Sequence, residues 1–187
     1  MSATALLVVD TETGGLDPAE SCIVSIAARV LVIGKGTLEP GAFFDTKIKP
    51  DRPVGDKAAA VNGYTAEAWV DAPPAGLALN LFRQWVESVC REYDRPMWCG
   101  CNPLFDLKFY NSDRKRFGLV EPDGLSYRVI DVQSMAIPLL FAGEVSSVSL
   151  AALRTWAGLE GEQTHTALGD VDDTCAVVGA LLLRGRS

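Results

Sequence analysis

Two carboxylates, Asp10 and Glu12, close the apolar run Thr4–Val9. Residues i and i+2 of a strand project to the same face. Two like charges placed in this way repel unless a cation stands between them. Gly14 and Gly15 follow, so the chain can turn sharply and bring its backbone close to a ligand. A solvated turn accounts for the glycines but not for two acids ending a buried strand, and the segment reads as metal-binding. Asp106 lies four residues after Asn102, which can cap a helix with Pro103 at its first position. There it is either a partner of the helix dipole or an acid of a site. His165, the one histidine of the chain, precedes Asp170 by five residues. Its unperturbed pKa of about 6.5 suits a general base, although a lone histidine is more often a structural or exposed residue than a catalytic one. Asp172 and Asp173 read as first-turn acids favoured by the helix dipole, and Asp131 as a helix cap.

Elements must bring these residues together. Thr4–Val9 predicts a strand. Ile23–Ile33, rich in β-branched residues, is a second one, closed by the turn Gly34-Lys35-Gly36, and Phe43–Lys49 is a third, closed by Pro50. Short connections predict antiparallel pairing among the three. Leu77–Tyr93 switches to helical period, with Ala78, Leu81, Phe82, Trp85, Val86, Val89 and Tyr93 in one apolar stripe. Pro96–Cys101 is a buried strand, and the helix after Asn102 runs to about Phe117 before Gly118 stops it. Tyr127–Ile130 is a short strand. Ser147 caps a helix over Leu150–Ala157 that Gly158 ends, and Asp170–Leu183 is a last helix, stopped by Gly185. Strands first and alternation later indicate an α/β fold, a mixed sheet with helices on both faces. Pro73-Pro74, the one linker-like spot, falls between elements, so residues 1–187 are expected to form a single domain.

The 187 residues suffice for a full core. A hydrophobic share of 48% and a charged share of 22% fit a soluble globular protein, and no apolar run reaches membrane-span length. Met1 to Val9 lacks a basic leader and a cleavage site. The five cysteines are odd in number and irregularly spaced, which argues against a disulfide framework and for a reducing cytoplasm. Cys99-Gly100-Cys101 has no further ligands to complete a zinc site and reads as small buried strand residues. The net charge of −7 argues against a phosphate-binding surface. That objection weakens if the acids are metal ligands, because loaded cations invert the local sign.

Together, three segments resemble the exonuclease motifs of the DnaQ-like (DEDDh) 3′–5′ exonuclease family, within the ribonuclease H-like superfamily. Asp10-Thr11-Glu12-Thr13-Gly14-Gly15-Leu16 is similar to the first motif. Asn102-Pro103-Leu104-Phe105-Asp106 fits the second, Asn-x-x-Phe-Asp, and His165-x-Ala167-x-x-Asp170 fits the third. The resemblance implies a five-stranded sheet of order 3-2-1-4-5. It implies catalysis by Asp10, Glu12, Asp106, His165 and Asp170, with the four acids holding two divalent cations, Mg²⁺ or Mn²⁺. In the family pattern Asp10 bridges both ions, Glu12 and Asp170 hold the one on the nucleophile's side, Asp106 supports the other, and His165 takes the proton of the attacking water. Thr11, Gly14, Gly15, Leu16, Asn62 and Phe105 become candidate contacts to the terminal nucleotide. In Val61-Asn62-Gly63-Tyr64, a segment similar to a family loop, Asn62 stands where the family often has histidine, and for Phe105 a place in the core is the favoured alternative to stacking.

The implied partner is a nucleic-acid 3′ end, DNA favoured over RNA, with no membrane. Replication or repair proteins and a homodimer are further expectations. An exoribonuclease of the RNase T or oligoribonuclease type uses the same five residues. A non-catalytic nucleic-acid-binding or polymerase-accessory subunit is the alternative of another class. Lys108 and Lys115 fall opposite Asp106 on the helix and read as a solvated face, while Arg114 and Arg116, to either side, are candidate rim contacts.

Overall fold

A computed structural model describes residues 4–184, so residues 1–3 and the stop expected at Gly185 lie outside the described residues. The strands are β1 (Thr4–Thr13), β2 (Ile23–Ile33), β3 (Leu38–Lys47), β4 (Met97–Gly100) and β5 (Val129–Asp131). They form one sheet of order β3-β2-β1-β4-β5. The first three pair antiparallel, while β4 runs parallel to β1 and β5 parallel to β4. The helices are α1 (Asp56–Asn62), α2 (Ala75–Glu92), α3 (Pro103–Arg116), α4 (Val132–Met135), α5 (Ile137–Phe141), α6 (Leu150–Trp156) and α7 (Ala167–Leu183).

Because β1 is central, its side chains are buried on both faces. Ala5, Leu7 and Val9 pack with Phe82 of α2 and Phe109 of α3, whereas Leu6 and Val8 pack with Leu153 of α6 and Val171 of α7. Strand β1 continues past Val9, where its apolar run stops, and Asp10 and Glu12 stay in register opposite Ala27 and Ser25 of β2. The two acids therefore prolong the Leu6–Val8 row toward α7, and Thr11 prolongs the other row toward α3.

Several expectations shift. Strand β3 starts at Leu38 rather than Phe43, because Pro40 and Gly41 interrupt the strand signal. They lie where the β2–β3 register slips between Arg29 and Leu31, and a Cβ on Gly41 would come within 3.3 Å of Val30. Helix α2 begins two residues early and turns its stripe, so that Leu79 is fully buried and Leu81 is exposed. Asn102 stands at the N-cap of α3, but in the left-handed region (φ 66°), and its side chain makes no capping bond. Its backbone N–H donates instead to Asp131 at 3.3 Å, and Asp131 also accepts from the N–H groups of Gln133 and Ser134, as expected of a cap. Ser149, not Ser147, caps α6 through the Ala152 N–H; Ser147 bonds the Ser149 hydroxyl instead. Thr166 caps α7, which brings Asp170 into its first turn. Helix α1 is an addition to the expected elements. All five cysteines are free, and among the described residues no helix is long and apolar enough to cross a membrane.

Candidate active site

Asp10 and Glu12 leave β1 on the side that faces α7, and the first turn of α7 presents Asp170 to them. One carboxylate oxygen from each of the three lies within 4.8 Å of the others. Asp106, 4% exposed, approaches from α3 on the opposite side of the strand. It accepts two bonds from Thr11, from the backbone N–H at 2.9 Å and the hydroxyl at 2.7 Å. Thr11 thus ties Asp106 to β1 rather than standing free as a substrate contact. His165 is exposed and left-handed (φ 49°), and lies close enough for its charge to favour ionised Asp170.

Burial and mutual repulsion set the electrostatics of these four acids. Burial, then repulsion from Asp106, Asp170 and Glu12, holds Asp10 far above the ordinary carboxylate range. Burial, then Asp170 and Asp106, pushes Glu12 up to about 7. Burial lifts Asp106 to about 7 even though both Thr11 bonds oppose it. Burial also raises Asp170, against the Gln163 hydrogen bond and the charges of His165 and Arg154. Crowded, desolvated carboxylates of this kind are relieved by protons or by cations. An all-oxygen donor set suits hard ions such as Mg²⁺ or Mn²⁺, so the residues present fit the implied metal.

Beside the acids opens a cavity of about 490 Å³. Thr11, Gly14, Gly15, Leu16, Asn62 and Phe105 all line it, as does Glu12. Leu16 stands at the surface, 85% exposed. Gly14 has no room for a side chain: a Cβ would meet the Ser21 hydroxyl at 2.8 Å and the Pro53 carbonyl at 3.2 Å. Asn62 spends both ends of its amide inside the protein, donating to the Thr13 carbonyl at 3.0 Å and accepting from the Tyr64 N–H at 3.1 Å. It forms wall rather than a free polar contact. Phe105 serves both readings, lining the cavity while its ring lies 5.0 Å from Phe109.

Other side chains have structural duties. Arg114 is buried and bonds Glu121 at 2.8 Å, and Arg116 pairs with Asp51 and Asp113, so neither is a rim contact. Lys108 and Lys115 are exposed, as the helical angle predicts. Asp172 and Asp173 are held by Arg29 and Arg154 rather than facing the cluster. Burial pushes the thiols of Cys99 and Cys101 up to about 12, in keeping with inert strand residues.

Two features escaped the sequence. Helix α1 supplies Lys57, Ala58 and Val61 to the cavity wall. The helix-favouring run Asp56–Ala60 before Gly63 was a legible signal for it, since Gly63 ends α1 in the left-handed conformation. Gln163 donates to both oxygens of Asp170, and nothing local marks a loop glutamine for that role.

The exonuclease family model RNase_T matches residues 7–178. A DNA polymerase III subunit epsilon-like protein of Rhodobacter capsulatus is 30% identical over 177 residues, which is 94% of this chain but 23% of that relative. The DNA polymerase III subunit epsilon of Rickettsia typhi is 27% identical over 172 residues, covering 91% of this chain and 70% of the relative. Among solved structures, a zinc-bound E. coli exonuclease I–single-stranded DNA complex superposes with a TM-score of 0.76 at 20% identity, over 98% of this chain and 41% of that one. Exonuclease X bound to 5′ overhanging duplex DNA gives 0.65 at 22% identity, over 97% and 94% of the two chains. Cell-death related nuclease 4 gives 0.78 at 14% identity, over 97% and 64%. The chain belongs to the exonuclease family that the model describes, as a DnaQ-like exonuclease on a ribonuclease H-like fold.

Proposed function

We propose that the protein hydrolyses the last phosphodiester bond at a nucleic-acid 3′ end, DNA in preference to RNA, and releases nucleoside 5′-monophosphates. The observation that carries this reading is the meeting of Asp10, Glu12 and Asp170 within 4.8 Å, with Asp106 locked beside them by Thr11. These four acids would hold two divalent cations, Mg²⁺ or Mn²⁺. Bound there, such ions supply the positive charge that activates water and stabilises the leaving oxygen. The chain's own residues do the rest. Asp10, on the central strand between Asp106 and Asp170, is the acid that both sides of the cluster share. His165 stands at the open rim, where it can take the proton of the attacking water and pass it to solvent. The cavity walled by Gly14, Gly15, Leu16, Asn62 and Phe105 receives the terminal nucleoside.

Preference for DNA draws on two facts about other proteins. The solved exonucleases I and X were captured with DNA, and the curated relatives carry the name of a DNA polymerase subunit. The reading is tested with a single-stranded oligonucleotide labelled at its 5′ end, in DNA and RNA versions, with Mg²⁺ or Mn²⁺. Stepwise release of mononucleotides, faster from DNA, is expected. No release from either ladder with metal present would exclude the enzyme.

A further inference from the structure

We propose that Gln163 selects which divalent cation the acid cluster accepts, by covering the chelating edge of Asp170. The inference rests on the reading of Asp10, Glu12 and Asp170 as cation ligands and adds a residue that the family motifs do not contain.

The geometry is specific. The Gln163 side-chain nitrogen lies 2.9 Å from each of the two Asp170 carboxylate oxygens. A donor equidistant from both oxygens lies between them, where a chelated cation would otherwise sit. The amide covers the edge between the two oxygens, and Asp170 meets the cluster through one oxygen, which lies within 4.8 Å of an oxygen of Asp10 and of Glu12. Mg²⁺ demands near-ideal octahedral geometry and dehydrates reluctantly, so a single oxygen from each carboxylate serves it. Ca²⁺ takes more oxygens and commonly recruits carboxylates through both. Gln163 therefore denies Ca²⁺ the contact it would gain most from, while leaving the smaller ions what they need.

The amide is also held in place. Arg154, 9% exposed on α6, donates to the Gly161 carbonyl at 3.2 Å, and its Nε lies 2.6 Å from Asp173 one turn beyond Asp170. On the other side of Gln163, Thr166 caps α7 through the Gly169 N–H at 3.2 Å. The segment is thus fastened before and after Gln163. Since His165 lies two residues further on, the same bond ties the base-bearing segment to the acids. Gln163 is a positioning residue: it acts through Asp170.

The test is competition for the site, read by the electron paramagnetic resonance of free Mn²⁺ in the full chain. Wild type is compared with Gln163→Met, which keeps the bulk and loses the donor, and with Gln163→Asn, which keeps the amide and loses the reach. Ca²⁺ is expected to displace bound Mn²⁺ about tenfold more effectively in both variants, the usual scale for a residue supporting a metal ligand. An unchanged Ca²⁺-to-Mn²⁺ ratio in either folded variant overturns the role of Gln163. Wild type that binds no Mn²⁺ would instead remove the cation site itself, a different failure.

Discussion

Glu12 and Asp106 are each pushed up to about 7, from 4.5 and 3.8. In a chelator the folded protein therefore keeps protons that the unfolded chain has already released. Between about pH 4.5 and about pH 7 the folded state binds more protons, so its stability falls as pH rises through that window. The melting temperature in EDTA is expected to drop across it, and a flat or rising profile would contradict the crowding of the four acids. Added Mg²⁺ should raise the melting temperature more above this window than below it, since the ligands must be deprotonated. The same crowding gives Asp10→Asn two effects of opposite sign. Activity should fall on the order of a thousandfold, because charge stabilisation at the reacting phosphate is lost. Stability in chelator should rise, because one of four repelling carboxylates is gone; melting and turnover assays read the two separately. His165→Ala should lower kcat by roughly 10²–10⁴-fold while Mn²⁺ affinity stays near that of wild type. A variant that lost ion binding as well would place His165 among the ligands.

Elements decide which of these residues meet. Asp131 joins three of them: it ends β5, it caps α4, and it holds the Asn102 backbone from which α3 departs toward Asp106. Asp131→Ala is expected to cost about 1 kcal/mol, the loss of a cap, measurable by urea denaturation. Turnover should fall alongside, because α3 carries Asp106; unchanged turnover would mean that α3 is anchored independently. Much of this architecture was legible in advance. The alternation of β1 put Asp10 and Glu12 on one face because a strand's period is fixed, and the separation of the motifs placed Asp106 and Asp170 on different helices. What stayed hidden was set by partners from elsewhere in the chain. A helical angle located Arg114 and Arg116 beside Asp106 but could not name Glu121 and Asp51, which consume them. Asn102 has the chemistry of a cap, yet its left-handed backbone turns the side chain from that task. Gln163 acquires its role only when α7 and the segment before it have folded against each other.

At the scale of the molecule, a net charge of −7 constrains the proposed binding of nucleic acid. The cavity is lined by one lysine, Lys57, and the arginines of α3 are spent internally. Binding of single-stranded DNA should therefore depend weakly on salt, with a log–log slope shallower than about −2, as few phosphate contacts dictate. A steep slope, measured by fluorescence anisotropy on the Asp10→Asn variant so that the strand is not consumed, would reveal phosphate contacts beyond Lys57. The sheet raises a different question, since β3 lies at its open margin. A flat, regular margin is a template on which further polypeptide can crystallise strand by strand into fibrils. Here Pro40 has no N–H to lend, the register slip at Gly41 bends the strand, and exposed Glu39 and Lys47 set charges along it. Such a margin is a poor seed, and concentrated protein should remain free of amyloid-like growth from β3 although that strand has a single neighbour in the sheet.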